Sequence, residues 1–308
     1  MPAFCTHYLF GEDFIVDLPI EQKHNINFRN SFFYGVQGPD FLLFHRALPT
    51  MMGKSLRRFS TRMHTDPPAK LFAVLQKLQR LNPDNDFVNG YVAGFVCHYA
   101  LDRAAHPYIN FLQEGIIRKE KAKFAPTIHN RIETNIDRYM LKARFKINDP
   151  RKFHPSEILT DDPKTIQNIA SIIVKVLSSV YDFNVKQSEI CTAFRDFRKI
   201  EEMLSDSNYW EKTVARFAEL PVRSKYGPAL SALIRSGKTD KRWDYVNAKK
   251  NPWVNVDNRE QASNMSFIEI YDSALQSALT MYNGLLEGID AAEFTGNISF
   301  KTGAVAKQ

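Results

Sequence analysis

Three ionisable residues stand at four-residue intervals in the most apolar stretch of this chain. Val88, Tyr91, Val92, Phe95, Val96, Tyr99 and Leu101 surround most of a helix predicted from Asp86 to Ala105. A helix that is apolar on most sides belongs in the middle of a core. His98, Asp102 and His106 lie on that same segment. At about 100° per residue, each step of four turns only ~40°, so the three side chains share one face. A carboxylate buried among apolar groups without a partner is costly. Either the three groups bond to one another as a polar core cluster, or they hold a metal ion.

The next periodic segment repeats the arrangement. His129 and Glu133 are four apart on a helix predicted from Thr127 to Phe145, with Pro126 at its start. Imidazole and carboxylate are ligands that zinc accepts where a site keeps an open position. Two neighbouring helices with facing sets can enclose more than one ion.

The remaining pattern is helical as well. Apolar spacing predicts helices over 71–81, 188–204 and 209–220. Asp162-Pro163 opens one that runs to Val180, and Ser266-Phe267-Ile268-Glu269 is a capping box for one that runs to about Leu286. Pro107 is expected to end or kink the central helix near His106. Residues 221–261 read as a packed connection anchored by Trp243, Tyr245 and Trp253. The small, polar tail from Gly296 is expected to fray. The fold class is therefore all-α: one domain over 1–295, with a metal core in 1–145, packing helices in 146–295 and a flexible tail at 296–308.

A chain of 308 residues can bury a core without disulfides or metals, so metals here would serve chemistry. Cys5, Cys97 and Cys191 are too few and too odd in number for a disulfide framework, which fits a reducing compartment. The first residues lack the basic and apolar regions of a secretory signal. No run approaches the ~18 apolar residues of a membrane span. The expected location is cytoplasmic. The net charge of +7 and pI near 9.2 favour polyanionic partners: nucleic acid, a phosphate-bearing substrate, or peripheral contact with an anionic membrane surface. No protein partner is inferred. Among the other histidines, His24, His45 and His154 lack ligand spacing, and His45 is the one placed to support a ligand from behind. The run Phe41-Leu42-Leu43-Phe44 reads either as a lipid entrance or as an ordinary amphipathic turn.

Pro2-Ala3-Phe4-Cys5-Thr6-His7, Gln37-Gly38-Pro39-Asp40, Met63-His64, the stretch from Gly94 to Asp102, and His129 with Glu133 together resemble the zinc-dependent phospholipase C family. The wider fold group of that family includes P1-type nucleases. The resemblance covers residues 2 to about 140 and continues more loosely to Trp253 and the turn at Ser263–Ser266. It implies a multi-helix bundle with a metal cluster between central helices and two or three zinc ions per chain. Asp40, His64, His98 and Asp102 would hold one ion. His106, His129 and Glu133 would hold a second, leaving a position for water. His7, a bridging Asp102 and the chain's own N-terminal amine would hold a third.

Two departures from the family stand out. The secreted members begin with a tryptophan whose amine binds metal, whereas here removal of Met1 would expose Pro2. The three residues between Asp102 and His106 are fewer than in those members, and resemble the metal domain of glycosylphosphatidylinositol-specific phospholipase D. The implied reaction is phospholipase C-like cleavage of a glycerophospholipid by metal-activated water, with Asp40 orienting the water or taking its proton. The alternatives are a nuclease or phosphatase acting on nucleic acid or nucleotides, and a non-catalytic, metal-stabilised binding protein.

Overall fold

The computed structural model describes residues 4–48, 51–149, 152–205, 232–234 and 240–306. The helix expected over 209–220 lies outside them, as do 221–231 and 235–239 of the expected connection. Among the described residues the chain is almost wholly helical. In order come α1 (Phe4–Ile15), α2 (Ile20–His24), α3 (Ile26–Val36), a 3-10 turn at Asp40–Leu43, α4 (Arg57–Thr65), α5 (Pro68–Leu81), α6 (Asp86–Glu120) and α7 (Ala125–Phe145). A 3-10 turn at Pro155–Glu157 leads to α8 (Pro163–Tyr181), α9 (Gln187–Met203), β1 (Trp253–Asn255), β2 (Asn258–Ser263), α10 (Phe267–Glu287) and α11 (Ala291–Thr295). The two strands form one antiparallel pair. The fold class is all-α.

Local signals set most helix ends. Asn85 accepts from the Phe87 and Val88 amides at the start of α6, and Asp162 does the same for Lys164 and Thr165 at the start of α8. Both halves of the Ser266–Glu269 capping box are formed at α10. The helix does not end at Pro107: α6 runs through it to Glu120. A proline inside a helix removes one backbone hydrogen bond and costs roughly 3 kcal/mol. Tyr108, Ile109, Leu112 and Ile116, all buried beyond the proline, outweigh that loss by packing into the core.

The core is organised around α6. It packs most extensively against α3, and α1, α7, α8 and α10 also lie against it. Three glycines allow the close approach of α3. A β-carbon on Gly94 would stand 2.1 Å from the Phe32 carbonyl oxygen, one on Gly90 2.2 Å from that of Phe28, and one on Gly35 2.3 Å from that of Tyr91. These contacts are with backbone, which cannot swing away as a side chain can.

Residues 296–306 depart from expectation as well: they do not fray. Phe300 is fully buried, Ser299 donates its amide to the Ala304 carbonyl (2.8 Å), and Ala306 donates to Asn297 (2.8 Å). A β-carbon on Gly303 would fall 2.4 Å from Pro107 Cγ and 2.6 Å from the Arg103 carbonyl oxygen. The segment thus lies as a strap across α6, at the turn where Pro107 has no amide hydrogen to offer.

Two substitutions on one helix separate close packing from helix propensity. Gly94→Ala is expected to lower stability by about 2 kcal/mol or more through overpacking. Gly115→Ala, where a methyl meets nothing within 4 Å, is expected to raise it by about 0.5–1 kcal/mol. Denaturant melts of the two variants check this; shifts in the same direction would refute the close-approach account.

Candidate metal centre

Four elements converge on one face of α6. That face carries His98, Asp102 and His106. α1 brings His7, the 3-10 turn after α3 brings Asp40, α4 brings His64, and α7 brings His129 and Glu133. All eight residues singled out in the sequence meet here.

Local chemistry fixes each arm. Asp137 on α7 accepts from the Cys5 amide (3.0 Å), the Thr6 amide (2.8 Å) and the Thr6 hydroxyl (2.6 Å), which clamps the first turn of α1 and so places His7. Gly38 turns the chain from α3 into the Asp40 turn at φ +52°, and a β-carbon there would fall 2.1 Å from the His98 ring. Only glycine meets both demands.

The ligating atoms face one another. His64 Nε2 is 3.2 Å from Asp40 Oδ1, 3.5 Å from Asp102 Oδ2 and 3.4 Å from His98 Nε2. His98 Nε2 is 3.4 Å from Asp102 Oδ2, and His7 Nε2 is 3.3 Å from Asp102 Oδ1. His129 Nε2 lies 2.9 Å from Glu133 Oε1, with its ring stacked 5.6 Å from that of His106. These atoms form three sets, each within 4.8 Å: His7, Asp40 and His98; His64, His98 and Asp102; His106, His129 and Glu133. His98 belongs to two of them. Asp102 turns one oxygen to His7 and the other to His64 and His98, the geometry of a bridging carboxylate.

Six buried polar atoms of this cluster are not satisfied by its other members. Both ring nitrogens of His7, Asp40 Oδ1, His98 Nδ1 and both carboxylate oxygens of Asp102 are buried without a hydrogen bond. Buried polar atoms are nearly always paired. So many orphans in one place, close together but misaligned for hydrogen bonding, fit a buried cation. Buried His/Asp groups here can hold a metal ion.

In three of the five histidines the second ring nitrogen agrees with that role. Nδ1 of His64 faces the Ser60 carbonyl at 2.7 Å, Nδ1 of His106 the Asp102 carbonyl at 3.0 Å, and Nδ1 of His129 the Gln113 side-chain oxygen at 2.7 Å. With Nδ1 as the donor, each Nε2 keeps its lone pair for a ligand. Burial pushes His7 down to about 3 and holds His64, His98 and His106 below the usual histidine range, so all four are neutral at neutral pH. Neutral imidazole is the form that binds metal. Burial, then the Asp102 charge, raises the Asp40 carboxyl well above the usual range. Burial also acts to raise Glu133, but the adjacent His129 holds it below.

A cavity of about 480 Å³ opens onto His64, His106, His129 and Glu133. Leu43, Arg57, Thr61, Asn110, Gln113 and Lys301 also line it. The strap closes the inner side. Phe300 packs on the His64 and His98 rings at 5.5 and 6.0 Å, the Ser299 hydroxyl donates to the His64 carbonyl (3.3 Å), and Tyr99 donates to the Ile298 carbonyl (2.8 Å).

Other candidates lie elsewhere. His45 is fully buried, but its Nδ1 accepts from the Leu56 amide (3.1 Å) and its Nε2 lies 3.8 Å from Glu189, so it pins a loop and touches no member of the cluster. His154 pairs with Glu202 at 2.9 Å, and His24 is exposed. Phe41 stacks on Phe194 at 4.0 Å and Leu42 is buried; of that run, Leu43 reaches the cavity. Asp137, Gln113, Phe300, Arg57 and Lys301 escaped the sequence reading. Only Asp137 carried a signal, since it continues the four-residue ladder of His129 and Glu133.

The chain matches no family model, no characterised protein and no solved structure. None of its described helices is long and apolar enough to cross a membrane.

Gln113→Leu removes the acceptor from His129 Nδ1. It is expected to weaken metal retention at the outer set by about 10- to 100-fold. Chelator competition reads this, and an unchanged retention would show that Gln113 does not orient a ligand.

Proposed function

We propose that this chain is a zinc-dependent phosphodiester hydrolase of the phospholipase C/P1 nuclease type. One observation carries the proposal: five histidines and three carboxylates meet in a buried cluster that is open on one side to a cavity. A structural zinc site is closed by its four ligands, whereas a catalytic one keeps a position free. The spacing of the ligand motifs along the chain, which resembles that family, supports the same reading.

Asp40, His64, His98 and Asp102 would hold one ion, His106, His129 and Glu133 another, and His7 with the second oxygen of Asp102 a third. Mixed imidazole and carboxylate donors suit zinc. Zinc supplies Lewis acidity at such a site, acidifying water and drawing charge from phosphoryl oxygens. The chain's own groups do the rest. Asp40, raised in proton affinity by burial and by Asp102, would orient the attacking water or take its proton. Phe300 and the strap keep bulk water away from His98. Asn110, Asn130 and Gln113 on the cavity wall offer neutral hydrogen bonds to a bound ester.

Zinc content and the hydrolysis of bis(4-nitrophenyl) phosphate test this together. At least two zinc per chain are expected. His98→Ala is expected to lose zinc and to lower hydrolysis roughly a hundredfold or more, while His154→Ala keeps both. Fewer than two zinc would reject the cluster, and full zinc loading without hydrolysis would select the non-catalytic binding protein.

A further inference from the structure

We infer that the cavity selects a phosphodiester bearing a second, neighbouring phosphate, and that Arg57 and Lys301 read it. This rests on the hydrolase reading above and names the substrate class.

The argument starts from two cations at the rim of one cavity. Arg57 is the first residue of α4, and Lys301 belongs to the strap; both are exposed, and both line the space into which His64, His106, His129 and Glu133 open. Neither forms an ion pair among the described residues. The other arginines of α4 are engaged: Arg58 lies over the Phe59 and Phe183 rings, while Arg62 lies over Tyr181 and pairs with Asp66. Arg57 has neither kind of contact among the described residues, which leaves its guanidinium available to a ligand there.

Lys301 is held in place by its backbone. Its carbonyl accepts from Asn110 Nδ2 at 2.9 Å and its amide donates to the Ser299 hydroxyl at 3.2 Å. Asn110 lines the same cavity, so the strap roots this lysine at the rim.

The lining also says what the cavity does not suit. Among the described residues its lining holds no phenylalanine, tyrosine or tryptophan, and the one carboxylate there is Glu133, already assigned to the metal set. A quaternary ammonium head group is recognised by an aromatic cage, and a nucleobase by an aromatic stacking platform. The described lining builds neither. A single phosphodiester carries one negative charge, which the ions of the cluster would neutralise. Two further unpaired cations then match an additional anion, and a phosphomonoester with about −1.5 to −2 charge is the fitting one. Exposed cations act mostly on capture, so their effect falls on KM and is screened by salt.

Zinc-loaded protein is assayed on vesicles of phosphatidylinositol 4-phosphate against phosphatidylinositol, and on the 4-nitrophenyl ester of thymidine 5′-phosphate with and without a 3′-phosphate. The phosphate-bearing member of at least one pair is expected to show a KM lower by about tenfold, the worth of one charge-assisted hydrogen bond. The pair that responds identifies the source of the phosphate. Lys301→Gln and Arg57→Gln should each bring the KM ratio toward one, whereas Lys70→Gln, on the exposed face of α5, should keep it. Binding is measured separately by calorimetry with inositol 1,4-bisphosphate and inositol 1-phosphate, and the bisphosphate should bind more tightly only while Lys301 and Arg57 are present. A bisphosphate preference that depends on these residues, without hydrolysis of any diester, would sustain the anion site and reject the hydrolase reading. Equal KM values with equal affinities, or a ratio unmoved by both variants, would overturn the inference.

Discussion

Asp102 is fully buried on a helix whose other faces are apolar, and a charge in that position needs counter-charge or coordination. The arrangement of the surrounding elements follows from that need. α1 arrives with His7, α4 with His64, and the helix itself supplies His98 one turn before and His106 one turn after. Asp40 makes the need sharper, because a second carboxylate beside the first raises the cost of leaving either unpartnered. The backbone contacts at Gly35, Gly90 and Gly94 let α3 come close enough to α6 for Gly38 and Asp40 to reach the His98 ring. Packing and electrostatics therefore depend on the same few glycines.

The cluster has a dry side and a wet side. His7, His98 and Asp102 are fully buried, and Phe300 packs on the His98 ring. His129 is only partly covered, and the set it forms with His106 and Glu133 borders the cavity. A gradient of this kind divides the labour within one site. The inner groups sit where the local dielectric is low and electrostatic interactions are strong, and the outer set faces the cavity.

What the sequence made legible was local. α5, α8, α9 and α10 begin and end within a few residues of expectation, because their apolar period and their caps at Asp162 and Ser266 are read within one or two turns. His98, Asp102, His106, His129 and Glu133 were legible for the same reason, since four-residue spacing is a geometric statement about one helix. His7, Asp40 and His64 carry no such spacing and came from motif resemblance; their meeting with α6 is a long-range fact. The helix continues past Pro107, instead of ending there, because the packing beyond it is tertiary. Residues 296–306 were misread because a small, polar composition is also what a chain needs in order to lie flat against a helix. One buried phenylalanine and a few backbone hydrogen bonds hold them there.

That strap closes the site from a part of the chain remote from all of its members. The eight cluster residues lie between His7 and Glu133, whereas Phe300 covers one face of His98 and Ser299 bonds to the His64 carbonyl. A change confined to the strap therefore alters how the cluster is covered without touching any of its eight residues.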